Sequence, residues 1–264
     1  MMHKFIITLL LSSLLVPLIA QTYQIKRDIK YILPSDTSVY RQEQCKLDLY
    51  FPEKTKGFKT LVWFHGGGLT GGEKEIPVQL KGHGFAVVGV NYRLFPRGKN
   101  PDYTIDAAEA VAWVFKHISE YGGDAGKIYV AGHSAGGYLT SMLLLDKSYL
   151  GKFGIDADSV RGYFPISGQC ATHYTIRTER RIPFNVPLVD KYAPLNNVRK
   201  IGTQLVLITA DRKLEQMGRY EENLYLKAVL EGIGNREIPL YELAGFNHGE
   251  VAEPACLLID KLIK

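Results

Sequence analysis

Cysteine is scarce in this chain: three in 264 residues, Cys45, Cys170 and Cys256, far apart and odd in number. That excludes a disulfide framework and C-x-x-C redox or metal spacing, and leaves buried free thiols as the expectation. An excess of one charge is missing too. Lys and Arg total 32 against 27 Asp and Glu, a formal net charge of +5, and the basic residues are scattered without forming a run. No nucleic-acid partner is expected from such a surface. No cluster has metal-ligand spacing, so no metal is expected. Internal repeats and low-complexity linkers are absent. With 46% hydrophobic and 22% charged residues, the chain suits one fully cored domain.

The long apolar run is at the front. MMHKFIITLLLSSLLVPLIA carries one lysine, then an apolar stretch ending in Leu-Ile-Ala before Gln21. This is the layout of a signal peptide over residues 1–20, with Ala20 the small residue at the cut and Leu18 acceptable two positions earlier. An uncleaved anchor is the other reading, but residues 5–20 are short of the roughly 20 a spanning helix needs and Pro17 interrupts them. No lipobox-like cysteine follows. The expectation is a secreted or periplasmic domain over residues 21–264, with no stable membrane insertion after cleavage.

Apolar or alternating runs suggest strands over 24–33, 45–51, 60–65, 85–92, 127–131, 160–166, 204–209 and 238–243. Helical periodicity covers 104–121, 137–145, 214–231 and the C-terminus. After the first strands the two types alternate. An α/β fold follows, with a mostly parallel central sheet of about eight strands and helices on both faces. Residues 168–200 break the rhythm, being long, polar and interrupted by three prolines. A connection of that kind commonly caps a site. Tyr174 and Phe184 in it offer rings for an aromatic acyl group or a sugar, and Arg177, Arg180 and Arg181 offer charge for an acidic sugar, but the plainer expectation for each is a packing or solvated side chain.

Chemistry concentrates in two glycine-rich junctions. In KIYVAGHSAGGYLTSMLL a buried-strand pattern runs through Gly132-His133-Ser134-Ala135-Gly136 into a helical one. A serine on a tight strand-to-helix turn projects its hydroxyl off the sheet, the flanking glycines remove colliding side chains, and the helix start aims N–H groups at an oxyanion above Ser134. In TLVWFHGGGLTGG, His65-Gly66-Gly67-Gly68 follows another strand. Three successive glycines let backbone N–H groups approach a carbonyl closely. They form the second half of an oxyanion hole, Gly67 and Gly68 with Gly66 close behind, and Ala135 N–H forms the first. His65 and His133 read as loop-ordering histidines.

A serine nucleophile needs a base, and the base an orienting carboxylate. Only His173 and His248 follow Ser134. His173 falls in the irregular segment, whereas His248 lies on a glycine-flanked loop after the last strand, so His248 is the expected base. For the acid, the strand QLVLITA delivers Asp211 at its end. Glu215, one helical turn later, is the close competitor.

With HGGGLTGG, NYRL, PDYTIDAAEAVAWV, YGGDAGKIYVAGHSAGG, ADRKLEQMGRYEENLYL and FNHGE in order, the chain resembles the α/β-hydrolase superfamily, in its HGGG-bearing esterase/lipase branch. The resemblance covers nearly all of the chain beyond residue 20. It implies the α/β-hydrolase fold, a Ser134, Asp211, His248 triad, an acyl-enzyme and no cofactor. Within that branch the chain is similar to secreted carboxylesterases that remove acetyl or feruloyl groups from plant polysaccharides, so a small-molecule or polysaccharide-linked ester is the implied substrate. Lys213 departs from the second acidic residue many relatives carry there, which favours Asp211. Amide cleavage, as in arylformamidases or prolyl-peptidase-like enzymes, and a non-catalytic binding module stay open as alternatives. The chain is short for the gating domain of such peptidases, and a module of that kind typically loses the serine or histidine.

Overall fold

The computed structural model describes residues 21–216 and 218–263. Residues 1–20, on which the signal-peptide reading falls, lie outside the described residues. In chain order the elements are β1 (Tyr23–Lys30), α1 (Val39–Gln44), β2 (Lys46–Pro52), β3 (Phe58–Phe64), β4 (Ala86–Val90), α2 (Asp102–His117), β5 (Gly123–His133) and α3 (Ala135–Leu145). Then follow α4 (Ser148–Gly151), β6 (Gly162–Ile166), α5 (Tyr174–Glu179), β7 (Gln204–Leu205), β8 (Leu207–Ala210), α6 (Arg219–Gly232), β9 (Leu240–Leu243) and α7 (Ala252–Leu262).

Period-two alternation builds the sheet and its two cores. Along β3, Val62 and Phe64 face one side while Leu61 and Trp63 face the other, and in β5 Val130 opposes Tyr129 and Ala131. The first side packs on α2, α3 and α6, the second on α7. Both faces are therefore covered, which is why these central strands read as continuous apolar runs. Helix α2 buries Tyr103, Ala107, Ala110, Val111 and Val114 at three- and four-residue spacing, an amphipathic stripe. Helix α3 is buried at every position.

The strands run in the order β1-β2-β4-β3-β5-β6-β8-β9, with β7 beside β6. The pairs β1–β2 and β2–β4 are antiparallel and every pair from β4–β3 onward is parallel. The architecture is that of an α/β-hydrolase. Among the described residues there are nine strands rather than about eight, because the expected 204–209 strand is divided: at Val206 the chain bonds Tyr163 O (3.0 Å) before β8 resumes. The second departure matters more. The helix expected over 214–231 starts only at Arg219, and residues 211–216 form a turn beyond the end of β8.

The parallel strands share one carboxyl edge. The HGGG loop follows β3, Ser134 follows β5, residues 211–215 follow β8 and His248 follows β9. That edge is where α/β sheets hold their ligands.

Candidate active site

Between His133, the last residue of β5, and Ala135, the first of α3, Ser134 stands alone with φ 56° and ψ −111°. A non-glycine residue in such a conformation is strained by roughly 1–3 kcal/mol and needs the surroundings to hold it. Its N–H donates to Ile166 O at 2.8 Å, and its carbonyl accepts from Tyr138 N–H at 2.9 Å. Gly136 allows the elbow to touch β3: a Cβ there would lie 2.0 Å from Phe64 O.

Ser134 Oγ lies 2.8 Å from His248 Nε2, and His248 Nδ1 lies 2.5 Å from Glu215 Oε1. The Glu215 side chain is 1% exposed and that of His248 14%. Ser134 and His248 are thus brought together as expected. Asp211 is not: its carboxylate accepts from Lys213 N–H and Gly245 N–H, each at 2.9 Å, and it holds the surface turn instead. The carboxylate that meets the imidazole is Glu215, not the expected Asp211. The physical reason is the turn itself. Leu214 and Glu215 N–H groups both donate to Asp211 O, at 2.9 and 2.8 Å, a single helical turn that is not continued, and across it the longer Glu215 side chain reaches the imidazole.

Burial pushes the Glu215 carboxyl up, but hydrogen bonds from His248 and Ser167 outweigh it and hold the group down at about 2. Its Oε1 also accepts from Gln216 N–H at 2.7 Å, and Oε2 meets Ser167 Oγ at 2.5 Å and Ala210 N–H at 3.3 Å. His133 sits at 2.7 Å from the backbone carbonyl of His248 through Nε2. Burial and the neighbouring His248 push it down to about 4, so it is neutral at ordinary pH and donates the bond. The loop carrying the base is tied to the elbow carrying the nucleophile.

On the other side of Ser134 lies the glycine loop. A Cβ on Gly66 would be 3.5 Å from Ser134 Cβ, which sets this residue against the nucleophile. Thr70 and Gly71 N–H groups close a turn onto Gly67 O at 3.1 and 3.0 Å. Among the described residues, the N–H groups of Gly67 and Gly68 have no backbone acceptor, and Ala135, as the first residue of α3, has none within its helix. His65 orders the loop as expected, stacked on Tyr92 with centroids 4.4 Å apart and with Nδ1 2.7 Å from Gly66 O. Burial lowers its pKa.

Segment 168–200 forms a wall over this loop. Tyr174, at the start of α5, sets its hydroxyl against Gly68, where a Cβ would come within 1.8 Å of it, and Thr175 Oγ1 donates to Gly68 O. Phe184, 64% exposed, meets the Tyr174 ring edge-on at 5.6 Å. The arginines take the packing and surface roles that were the plainer expectation for them. Arg177 is buried and donates to Val186 O, and Arg180 pairs with Asp190. Arg181 stays exposed. His173 is buried and stacks on Tyr174, away from the role of base. No group of three or more His, Cys, Asp or Glu among the described residues is placed to hold a metal ion.

From the sequence Glu215 was legible only as the competitor of Asp211, and Ser167, whose Oγ meets the Glu215 carboxylate, carried no signal, being one serine after a strand.

A model of the BD-FAE family matches residues 47–224. A rice protein (Oryza sativa subsp. japonica) named probable isoprenylcysteine alpha-carbonyl methylesterase is 34% identical over 137 residues, 48% of this chain and 32% of that one. A Mycobacterium tuberculosis protein named probable carboxylic ester hydrolase LipM is 52% identical over 62 residues, 24% of this chain and 14% of its own. The chain therefore spans about a third or less of these curated relatives. Among solved structures, a truncated carbohydrate esterase from gut microbiota superposes with a TM-score of 0.75 at 17% identity, covering 92% of this chain and 96% of that one. A hyperthermophilic esterase from Pyrobaculum calidifontis gives 0.67 at 25% identity, over 83% and 80% of the two chains.

Proposed function

The chain belongs to the BD-FAE family, and from that premise we propose that it is a serine carboxylesterase working through an acyl-enzyme. The observation that carries the reading is the continuous relay from Ser134 Oγ to His248 Nε2 (2.8 Å) and from His248 Nδ1 to Glu215 (2.5 Å). Ser134 attacks the ester carbonyl while His248 Nε2 takes its proton. The carbonyl oxygen, now an oxyanion, accepts hydrogen bonds from the N–H groups of the Gly66 to Gly68 loop and of Ala135, each worth on the order of 3 kcal/mol in the transition state. His248 passes the proton to the leaving alcohol, and water cleaves the acyl-serine by the reverse route. Glu215 fixes the imidazole tautomer and stabilises the imidazolium.

The substrate is a short-acyl or aryl ester, with acetyl or feruloyl groups on plant polysaccharides the favoured class. The Tyr174–Phe184 pair at the wall supports a flat ring, and the names of the relatives support an ester bond. Export after cleavage at Ala20 completes the reading.

Ser134→Ala should lower kcat by about 10⁶-fold and leave the fold intact. Assays on 4-nitrophenyl acetate, a feruloyl ester, acetylated xylan, a C16 ester and an anilide check both parts. Activity of the variant within tenfold of wild type removes the serine mechanism; faster turnover of the C16 ester or the anilide removes the substrate class.

A further inference from the structure

One strained residue beside the relay has no part in it yet. Ser167, the first residue after β6, is fully buried with φ 46°. Glycine adopts that conformation without strain and serine does not, so a residue needed only to turn the chain would be glycine. Its main chain is gripped on both sides: the N–H donates to Ile208 O at 2.8 Å, and the carbonyl accepts from the buried Arg219 Nη1 at 2.8 Å. Held this way, Oγ lies 2.5 Å from Glu215 Oε2 and accepts from Ala210 N–H at 3.3 Å.

We propose that Ser167 is a positioning residue for the reaction, its hydroxyl holding the Glu215 carboxylate in the orientation that faces His248. This role presupposes the hydrolase reading above and follows from the partners of the carboxylate. Oε1 is shared between His248 Nδ1 and Gln216 N–H, and Oε2 has the Ser167 hydroxyl and the longer bond from Ala210 N–H. Without Ser167, Oε2 keeps only the 3.3 Å contact, and the carboxylate is free to turn about its last torsion. A serine hydroxyl has one proton to donate, and here Ala210 N–H fills an acceptor position so that the proton is directed to Glu215. The effect belongs to the transition state, where the imidazolium forms and the Glu215 bond strengthens; substrate binding does not use it.

Two variants separate positioning from folding. Ser167→Gly removes the hydroxyl and relieves φ, whereas Ser167→Ala removes the hydroxyl and keeps the strain. On 4-nitrophenyl acetate both should lose about tenfold or more in kcat, the scale of one hydrogen bond to a charged group, with KM within about twofold. Ser167→Gly should melt no lower than Ser167→Ala. In wild type the His248 Nδ1 proton should give a low-field NMR resonance, which both variants shift upfield or lose. Wild-type kcat and an unmoved resonance in Ser167→Gly would overturn the proposal, as would a loss confined to KM. Wild type and Ser134→Ala are measured alongside. A wild type without turnover on any ester overturns the hydrolase reading, and the resonance still decides the role of Ser167.

Discussion

Asp211 and Glu215 stand four positions apart, and their carboxylates have opposite surroundings. Asp211 spends its charge on two backbone N–H groups, that of Lys213 in its own turn and that of Gly245 on the loop after β9, and the first of these is the habit of an aspartate in a turn. Glu215 is sequestered against the imidazole. Glu215→Gln should therefore cut kcat by about 10⁴, the size of a wrong-tautomer change in a comparable triad, and Asp211→Asn by less than about tenfold. Steady-state kinetics on one short ester decide between them. The same pair separates in acid. Because the Glu215 carboxyl is held at about 2 against an ordinary value near 4.5, the unfolded chain binds the extra proton between those values. The stabilisation is present above about 4.5 and is lost as pH falls towards about 2. Denaturant midpoints measured down that range should fall more steeply for wild type than for Glu215→Gln.

At the scale of elements, α5 and the glycine loop behave as one piece. Thr175 donates to Gly68 O, and Glu179 accepts from Asn100 N–H at 3.0 Å and from the Tyr103 hydroxyl at the start of α2. A wall anchored at both ends of α5 holds Tyr174 over Gly68. Gly68→Ala would drive a methyl into the Tyr174 hydroxyl at a position with φ 65°, distorting an oxyanion donor. Its kcat should fall by about 10² or more, the measure of one lost donor. Adding Tyr174→Phe removes the hydroxyl but leaves the ring Cζ at 3.0 Å and the backbone strain in place, so the double variant should regain part of the loss, a coupling that a double-mutant cycle reads directly. Additive losses would show that the hydroxyl and the loop are independent.

At the scale of the whole molecule, the two cores hold every thiol. Cys45 is fully buried, Cys170 and Cys256 are 1% exposed, and all three are unpaired. Burial pushes the Cys45 thiol up to about 12 and raises the other two as well. A thiolate-selective reagent should find no fast-reacting cysteine in the native protein and three in denaturant. Rapid modification of one thiol at neutral pH would show that a core opens locally. Among the described residues, no helix is long and apolar enough to cross a membrane.

The sequence by itself determined the alternation of strands and helices, because apolar periodicity is a local property. It also determined the elbow at Ser134 and the glycine loop at Gly66 to Gly68, because glycines between a strand and a helix are legible one junction at a time. His248 was legible by elimination along the chain. The acid was not. Whether Asp211 or Glu215 meets the imidazole depends on how residues 211–215 turn beyond β8. The tertiary structure sets that turn: Gly245 occupies the Asp211 carboxylate, and Ser167, 48 residues away, bonds Glu215. The same holds for the arginines of the wall, whose inward turn to Val186 and pairing with Asp190 arise only when the segment folds on itself. Local pattern names the candidates; contacts between distant strand ends select among them, since each polar group takes the partner that packing brings within bonding distance.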